Sequence, residues 1–148
     1  MCGRFINLNK IERLNKIFDV KNSNNFKNNI SYNIAPKQSS LIIINNKSYY
    51  IEEAFWGFQF FDKTSNIQNN VINSRLETIK DKLLFKESFE KRKCIIPANG
   101  YYEWSVQNNR KIPYVINIPI FETIYFAGIW KYLDLNDSKL KIFSIITK

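Results

Sequence analysis

The chain contains no histidine, and its 148 residues include only two cysteines, Cys2 and Cys94. These absences exclude several chemistries. An ordinary zinc site draws on Cys and His donors in numbers this chain does not have, so no metal is expected. Two cysteines make no disulfide framework, and a reducing, cytoplasmic setting is the expectation. A Cys–His pair of the thiol-peptidase kind cannot be built. No apolar run approaches the ~18 residues that cross a bilayer, and the stretch after Met1 is too polar for a secretion signal. Acidic residues are also scarce, 13 against 22 Lys and Arg, for a net charge of +9. That balance favours an anionic partner, most simply nucleic acid. In a chain this rich in Asn, Lys and Ile the charge can equally be scattered, so it adds only weak support. What is abundant is apolar: 45% hydrophobic and 16% aromatic residues, enough for one globular domain over residues 1–148.

Short segments with strand character dominate. Phe5–Leu8 reads as a strand, and Leu8, Ile11, Leu14, Ile17 and Phe18 recur at helical spacing, with Asn7 or Asn9 placed as the cap. Leu41–Ile44, Asn45-Asn46 and Lys47–Trp56 read as a β-hairpin. Phe55, Trp56, Phe58, Phe60 and Phe61 crowd five aromatic rings into seven residues, more than one strand face can bury. A turn and helix follow over 73–89, with Ile79, Leu83 and Leu84 as the apolar face and Ser74 and Glu77 as a capping box. Strands are expected at Lys93–Pro97, Tyr101–Val106, Tyr114–Ile118, Tyr125–Tyr132 and Leu140–Ile146, with tight turns at Asn99-Gly100 and Asn136-Asp137. The sum is an α+β fold with a mostly antiparallel, curled, barrel-like sheet and a few flanking helices.

The stretch most loaded with chemistry is Met1-Cys2-Gly3-Arg4-Phe5. Removal of Met1 would give Cys2 an α-amine with an ordinary pKa of ~7.7–8.0 beside a thiol near ~8.5. Such a residue condenses with an aldehyde through its amine and closes a thiazolidine through its sulfur. The bland alternative is a small buried residue near a terminus. Three other clusters stand out: Asn33 with Pro36, Asn73-Ser74-Arg75, and the run from Arg92 to Trp104. Glu103, between Tyr102 and Trp104, sits in an aromatic setting suited to moving protons. Asn73 offers an amide, and Arg75 a fork for phosphate. Trp56, Phe60, Phe61 and Trp104 are candidates to stack unpaired bases.

Taken in order, the segments Met1–Phe5, Tyr32–Pro36, Trp56–Phe58, Asn73–Thr78, Lys93–Trp104, Phe126–Trp130 and Phe143–Thr147 resemble the SOS response-associated peptidase (SRAP) family. The resemblance implies a protein that crosslinks Cys2 to abasic sites in single-stranded DNA. In that reading Asn73 orients Cys2 and the sugar, Glu103 shuttles protons, and Arg4 and Arg75 hold flanking phosphates. Asn33, Pro36 and the aromatic residues complete a DNA-binding surface, and the protein acts as a monomer without cofactor. The family also carries a His after its last matching strand and a second Trp after Trp-Gly. This sequence has neither, reading Gln59-Phe60-Phe61-Asp62 at the second place and ending at Lys148, so a domain truncated at its C-terminus is expected. Two other readings stay open: a single-stranded DNA binding module without turnover, and a thiol autopeptidase.

Overall fold

The computed structural model describes residues 2–62, 67–119, 122–135 and 138–148, without the side chains of residues 61, 62 and 67. Its strands are β1 (Phe5–Asn7), β2 (Ser31–Ile34), β3 (Ser39–Asn45), β4 (Tyr49–Trp56), β5 (Phe58–Asp62), β6 (Ile67–Val71), β7 (Asn73–Arg75), β8 (Lys93–Ala98), β9 (Gly100–Gln107), β10 (Arg110–Asn117), β11 (Ile124–Leu135) and β12 (Ser138–Thr147). Among the described residues two helices accompany them, α1 (Ile11–Phe18) and α2 (Leu83–Lys91), with one 3-10 turn at Ser23–Asn25.

Five strands close a barrel in the order β3, β4, β12, β11, β8 and back to β3. Every seam is antiparallel except β4–β12, where Trp56 lies beside Phe143 in parallel register. Short β7 extends β12, again in parallel, placing Asn73 opposite Ile145 and Arg75 opposite Thr147. A second sheet, ordered β10-β9-β1-β2, carries the N-terminal strand, and β5–β6 form a separate hairpin. The expected α+β class with a barrel-like, mostly antiparallel sheet is therefore what the chain forms.

The apolar runs follow from this closure. Ile42, Trp56, Ile96, Phe143 and Ile145 belong to one buried cluster with Phe5. Their neighbours Leu41 and Ile43 turn the other way, onto Ile11 and Leu14 of α1, while Ile142 and Ile129 meet Phe85 of α2. Strands covered on both faces lose the alternation of a half-exposed strand and read as continuous apolar runs.

Several local expectations need correction. Helix α1 begins at Ile11 rather than Leu8, and neither Asn7 nor Asn9 caps it. The Ile11 N–H donates to Asn28 Oδ1 at 2.8 Å. Asn7 and Asn9 are buried instead, and the Asn9 amide donates to Asn7 Oδ1 at 2.9 Å and to Asn99 Oδ1 at 3.1 Å. Asn99 Oδ1 also accepts from Leu8 N at 2.6 Å. Asn99-Gly100 makes no hairpin: β8 joins the barrel and β9 the second sheet, so the chain crosses between them here. The Ser74–Glu77 capping box does not form. Ser74 is buried in β7, and its hydroxyl faces Ile145 O. Leu83, expected on the buried face of α2, is 93% exposed, and Phe85 holds that face. Gly57 links β4 to β5 at φ +121°, and a Cβ there would stand 2.1 Å from Asn70 Oδ1.

Both thiols are buried, and burial pushes both pKa values up, Cys2 from the ordinary 9.0 to about 11 and Cys94 further. Unfolded thiols ionise near ~8.5, so above that pH the unfolded chain binds fewer protons than the folded one. Stability should then fall as pH rises from about 9 toward 11, by ~1.4 kcal/mol per pH unit for each thiol. Denaturant midpoints at pH 8 and pH 10 test this. Cys94→Ala should shrink the alkaline loss by about half, and an undiminished loss would assign it to other groups.

Candidate active site

Phe5 is the anchor. It is fully buried, with its ring edge-on to Trp56 at 5.1 Å and to Phe126 at 6.1 Å. The residues just before it are thereby fixed at the junction of barrel and second sheet. Arg4 O accepts from Tyr102 N at 2.9 Å and from the Cys2 thiol at 3.4 Å. Cys2 itself is 7% exposed. Its carbonyl accepts from the Asn73 amide nitrogen at 2.9 Å, so the first residue of β7 holds the residue that carries the thiol. The other amide atom, Asn73 Oδ1, is buried without a partner among the described residues. A buried acceptor left open is costly, and here it lies beside Cys2.

Glu103 lies on β9, two residues after Tyr101 and on the same face. That face packs on the central core, where Cys2 also lies. The Glu103 carboxylate is close enough to add its negative charge to the burial that raises the Cys2 thiol to about 11. This corrects the expectation of an ordinary thiol: near pH 8 the protonated thiol predominates. Attack by this sulfur therefore calls for a base, and Glu103 is the carboxylate whose charge Cys2 feels.

Arg4 is half-buried, and its guanidinium donates to Asn33 Oδ1 at 3.2 Å, which aims the fork. Arg75 is exposed and has no ion pair among the described residues. Pro36 sits in a turn held against the end of β4, where Lys37 N donates to Trp56 O at 2.8 Å. Trp104 is 41% exposed, and its ring lies alongside Gly3. Phe60 is 38% exposed. The side chain of Phe61 lies outside the described residues.

Trp56 is not a stacking surface. It is fully buried, its Nε1–H donates to Ile72 O at 2.9 Å, and its ring stacks on Phe143. The crowding of Phe55–Phe61 signals some exposed ring, but only the β4–β12 seam decides which one. Trp56→Phe should cost on the order of 1–3 kcal/mol, through the lost indole hydrogen bond and the space the smaller ring leaves, while Ile72 O keeps its bond from Ile145 N, without changing affinity for DNA. Trp104→Ala should do the reverse, weakening single-strand binding by ~1–3 kcal/mol with little change in the unfolding midpoint. Paired denaturation and binding titrations check this; equal loss of affinity in both variants would reinstate Trp56.

The structure adds a feature that the sequence did not single out. A cavity of about 910 Å³ opens beside Asn73, lined by Phe60, Val71, Arg75, Lys82 and Leu84 among others. Its walls are mostly apolar and carry two cations. Leu83 on its rim was read from sequence as core; helical spacing alone does not distinguish a rim from a core residue.

The model of the family described as SOS response associated peptidase (SRAP) matches residues 1–148. YoaM of Bacillus subtilis (strain 168), named an abasic site processing protein, is 33% identical over 135 residues, covering 88% of this chain and 60% of YoaM. YobE of the same strain, named likewise, is 32% identical over 152 residues, covering 99% of this chain and 69% of YobE. This chain thus spans less than two thirds of YoaM. A crystal structure of a protein from Bacteroides thetaiotaomicron shares the fold, with a TM-score of 0.78 at 23% identity over 98% of this chain and 67% of that one.

Proposed function

This chain belongs to the SOS response associated peptidase family, and from that premise we propose that it processes abasic sites in single-stranded DNA by bonding to them through Cys2. The observation that carries the proposal is the arrangement at Cys2: carbonyl held by Asn73, thiol hydrogen-bonded and buried, Glu103 charge nearby. The relatives YoaM and YobE, named abasic site processing proteins, support it.

The chemistry balances with these groups alone. With Met1 removed, the Cys2 amine adds to the aldehyde carbon of the opened sugar and expels one water, leaving an imine. Glu103 takes the thiol proton, and the sulfur adds to the imine carbon. The proton passes to nitrogen, and a five-membered ring closes with loss of one water overall. The amine and sulfur belong to one residue, so ring closure has the advantage of proximity. Proton transfer at the thiol falls to Glu103, the carboxylate whose charge Cys2 feels. Arg4, with Asn33, and Arg75 would hold phosphates on either side. Pro36, in its turn against the end of β4, would border the path of the strand, and Phe60 and Trp104 would stack the neighbouring bases.

Intact mass of the protein before and after incubation with abasic single-stranded DNA tests this. The expected spectrum shows Met1 missing, then a shift equal to the oligonucleotide less one water. Active protein that retains Met1 would falsify the mechanism. Binding should favour single strands over intact duplex and weaken steeply with salt. Affinity flat from low to moderate salt would contradict the phosphate contacts.

A further inference from the structure

We propose that a lysine track along α2 carries single-stranded nucleic acid away from the Asn73–Arg75 region to the opposite pole of the barrel. The proposal deepens the DNA-binding reading above and rests on it. Helix α2 connects the two ends. Its first residues, Leu83–Phe85, line the cavity beside Asn73. Its last, Glu90 and Lys91, line a second cavity of about 680 Å³, together with Tyr50, Tyr132 and Lys141. Those partners lie at the far end of the barrel: β12 runs from Lys141 there to Thr147 beside Arg75, a span of ~20 Å. Between the two lies a third cavity of about 470 Å³, lined by Lys80, Lys86, Phe89, Glu90 and Lys93. It shares Glu90 and Lys93 with the far one, so the two adjoin.

The middle cavity has three ammonium groups to one carboxylate. Phe89 keeps two of them on its ring, Lys80 Nζ at 5.9 Å and Lys93 Nζ at 5.3 Å from the centroid. Held there, they leave their remaining N–H donors for an oxyanion. Of the neighbouring acids, Glu87 accepts from Arg92 at 2.9 Å and Glu52 from Lys141 at 2.8 Å, which leaves Glu90 as the one carboxylate facing the three ammonium groups. At the far pole Tyr132 is 47% exposed and stands edge-on to Trp130 at 5.3 Å. Lys141 Nζ lies over one face of the Tyr132 ring, 5.5 Å from its centroid, and cations followed by a half-exposed ring suit successive phosphates followed by an unpaired base.

The test compares two oligothymidylates, one of about 30 nucleotides and one of about 5 with a central abasic site, the shorter reaching only the Cys2 side. Lys80, Lys86 and Lys93 are replaced together by Ala; all three are exposed. On the long strand the slope of log K against log salt should fall by about 2, as ~0.7 is lost per phosphate, with affinity on the order of tenfold weaker. Adduct yield on the short strand should stay unchanged. A control replacing exposed Lys10, Lys16 and Lys27 should keep the slope. An unchanged slope in the α2 variant, or an equal fall in the control, overturns the track. If the unsubstituted protein forms no adduct on the short strand, the Cys2 reading fails, while the long-strand slopes still decide the track.

Discussion

Cys2→Ala should form no heat-stable adduct with abasic single-stranded DNA, a loss beyond ~10³-fold, since one of the two bonds of the ring cannot form. The substitution leaves the α-amine in place once Met1 is removed. An imine should therefore still form and be trapped by borohydride, at a yield comparable to the unsubstituted protein. Affinity for the same DNA should barely change, because Cys2 is 7% exposed and offers little surface. Removing one sulfur from the core cluster around Phe5 should cost about 1 kcal/mol, so the variant folds. A stable crosslink surviving in Cys2→Ala would move the nucleophile elsewhere. Loss of the trapped imine as well would mean that the Asn73 clamp on Cys2 O had failed with the side chain.

Glu103→Gln separates two effects of one carboxylate. As proton carrier, its loss should slow adduct formation by ~10²–10⁴-fold. As a negative charge, it helps burial hold the Cys2 thiol near about 11, so its removal should lower that pKa and speed alkylation of Cys2 at pH 8–9. Sulfur reactivity should thus rise while ring closure falls. A residue needed only for local structure would move both rates in one direction. Release of a preformed adduct, followed by chasing with unlabelled abasic DNA, should slow even more, because the ring must be protonated before its sulfur can leave. If alkylation and adduct formation fall together in Glu103→Gln, the proton-carrier role is wrong.

The fold class was legible because its signals are local. The hairpin of β3 and β4 and the pairing of β11 with β12 announce themselves in β-rich runs separated by polar residues, though the expected Asn136-Asp137 turn lies outside the described residues. The identity of the buried aromatic was not legible. Trp56 is one of five rings in seven residues, and its burial depends on Phe143, eighty-seven positions later, in a parallel seam that no local pattern encodes. The same holds for Asn7 and Asn9. Their composition says helix cap, but Asn7 Oδ1 accepts from Asn9, and Asn9 donates on to Asn99, where the chain crosses between the sheets. At the candidate site, the chemistry of Cys2, Asn73 and Glu103 could be named from residue type and motif. The Asn73–Cys2 contact and the raised thiol could not, since both depend on burial created by strands far apart in the chain.

The parallel seam of β12 also sets an order of events during synthesis. Among the described residues β7 pairs only with β12, so Asn73 has no strand to sit on until residues 138–147 have been made. At ~5–20 residues per second, translation needs on the order of ten seconds to get there from residue 2. Throughout that interval the nascent N-terminus is unclamped, and the proposed removal of Met1 would fall within it. The barrel then closes and takes Cys2 out of solvent. The proposed processing and the proposed chemistry at Cys2 would then fall to one peptide in succession, with strand β12 acting as the timer.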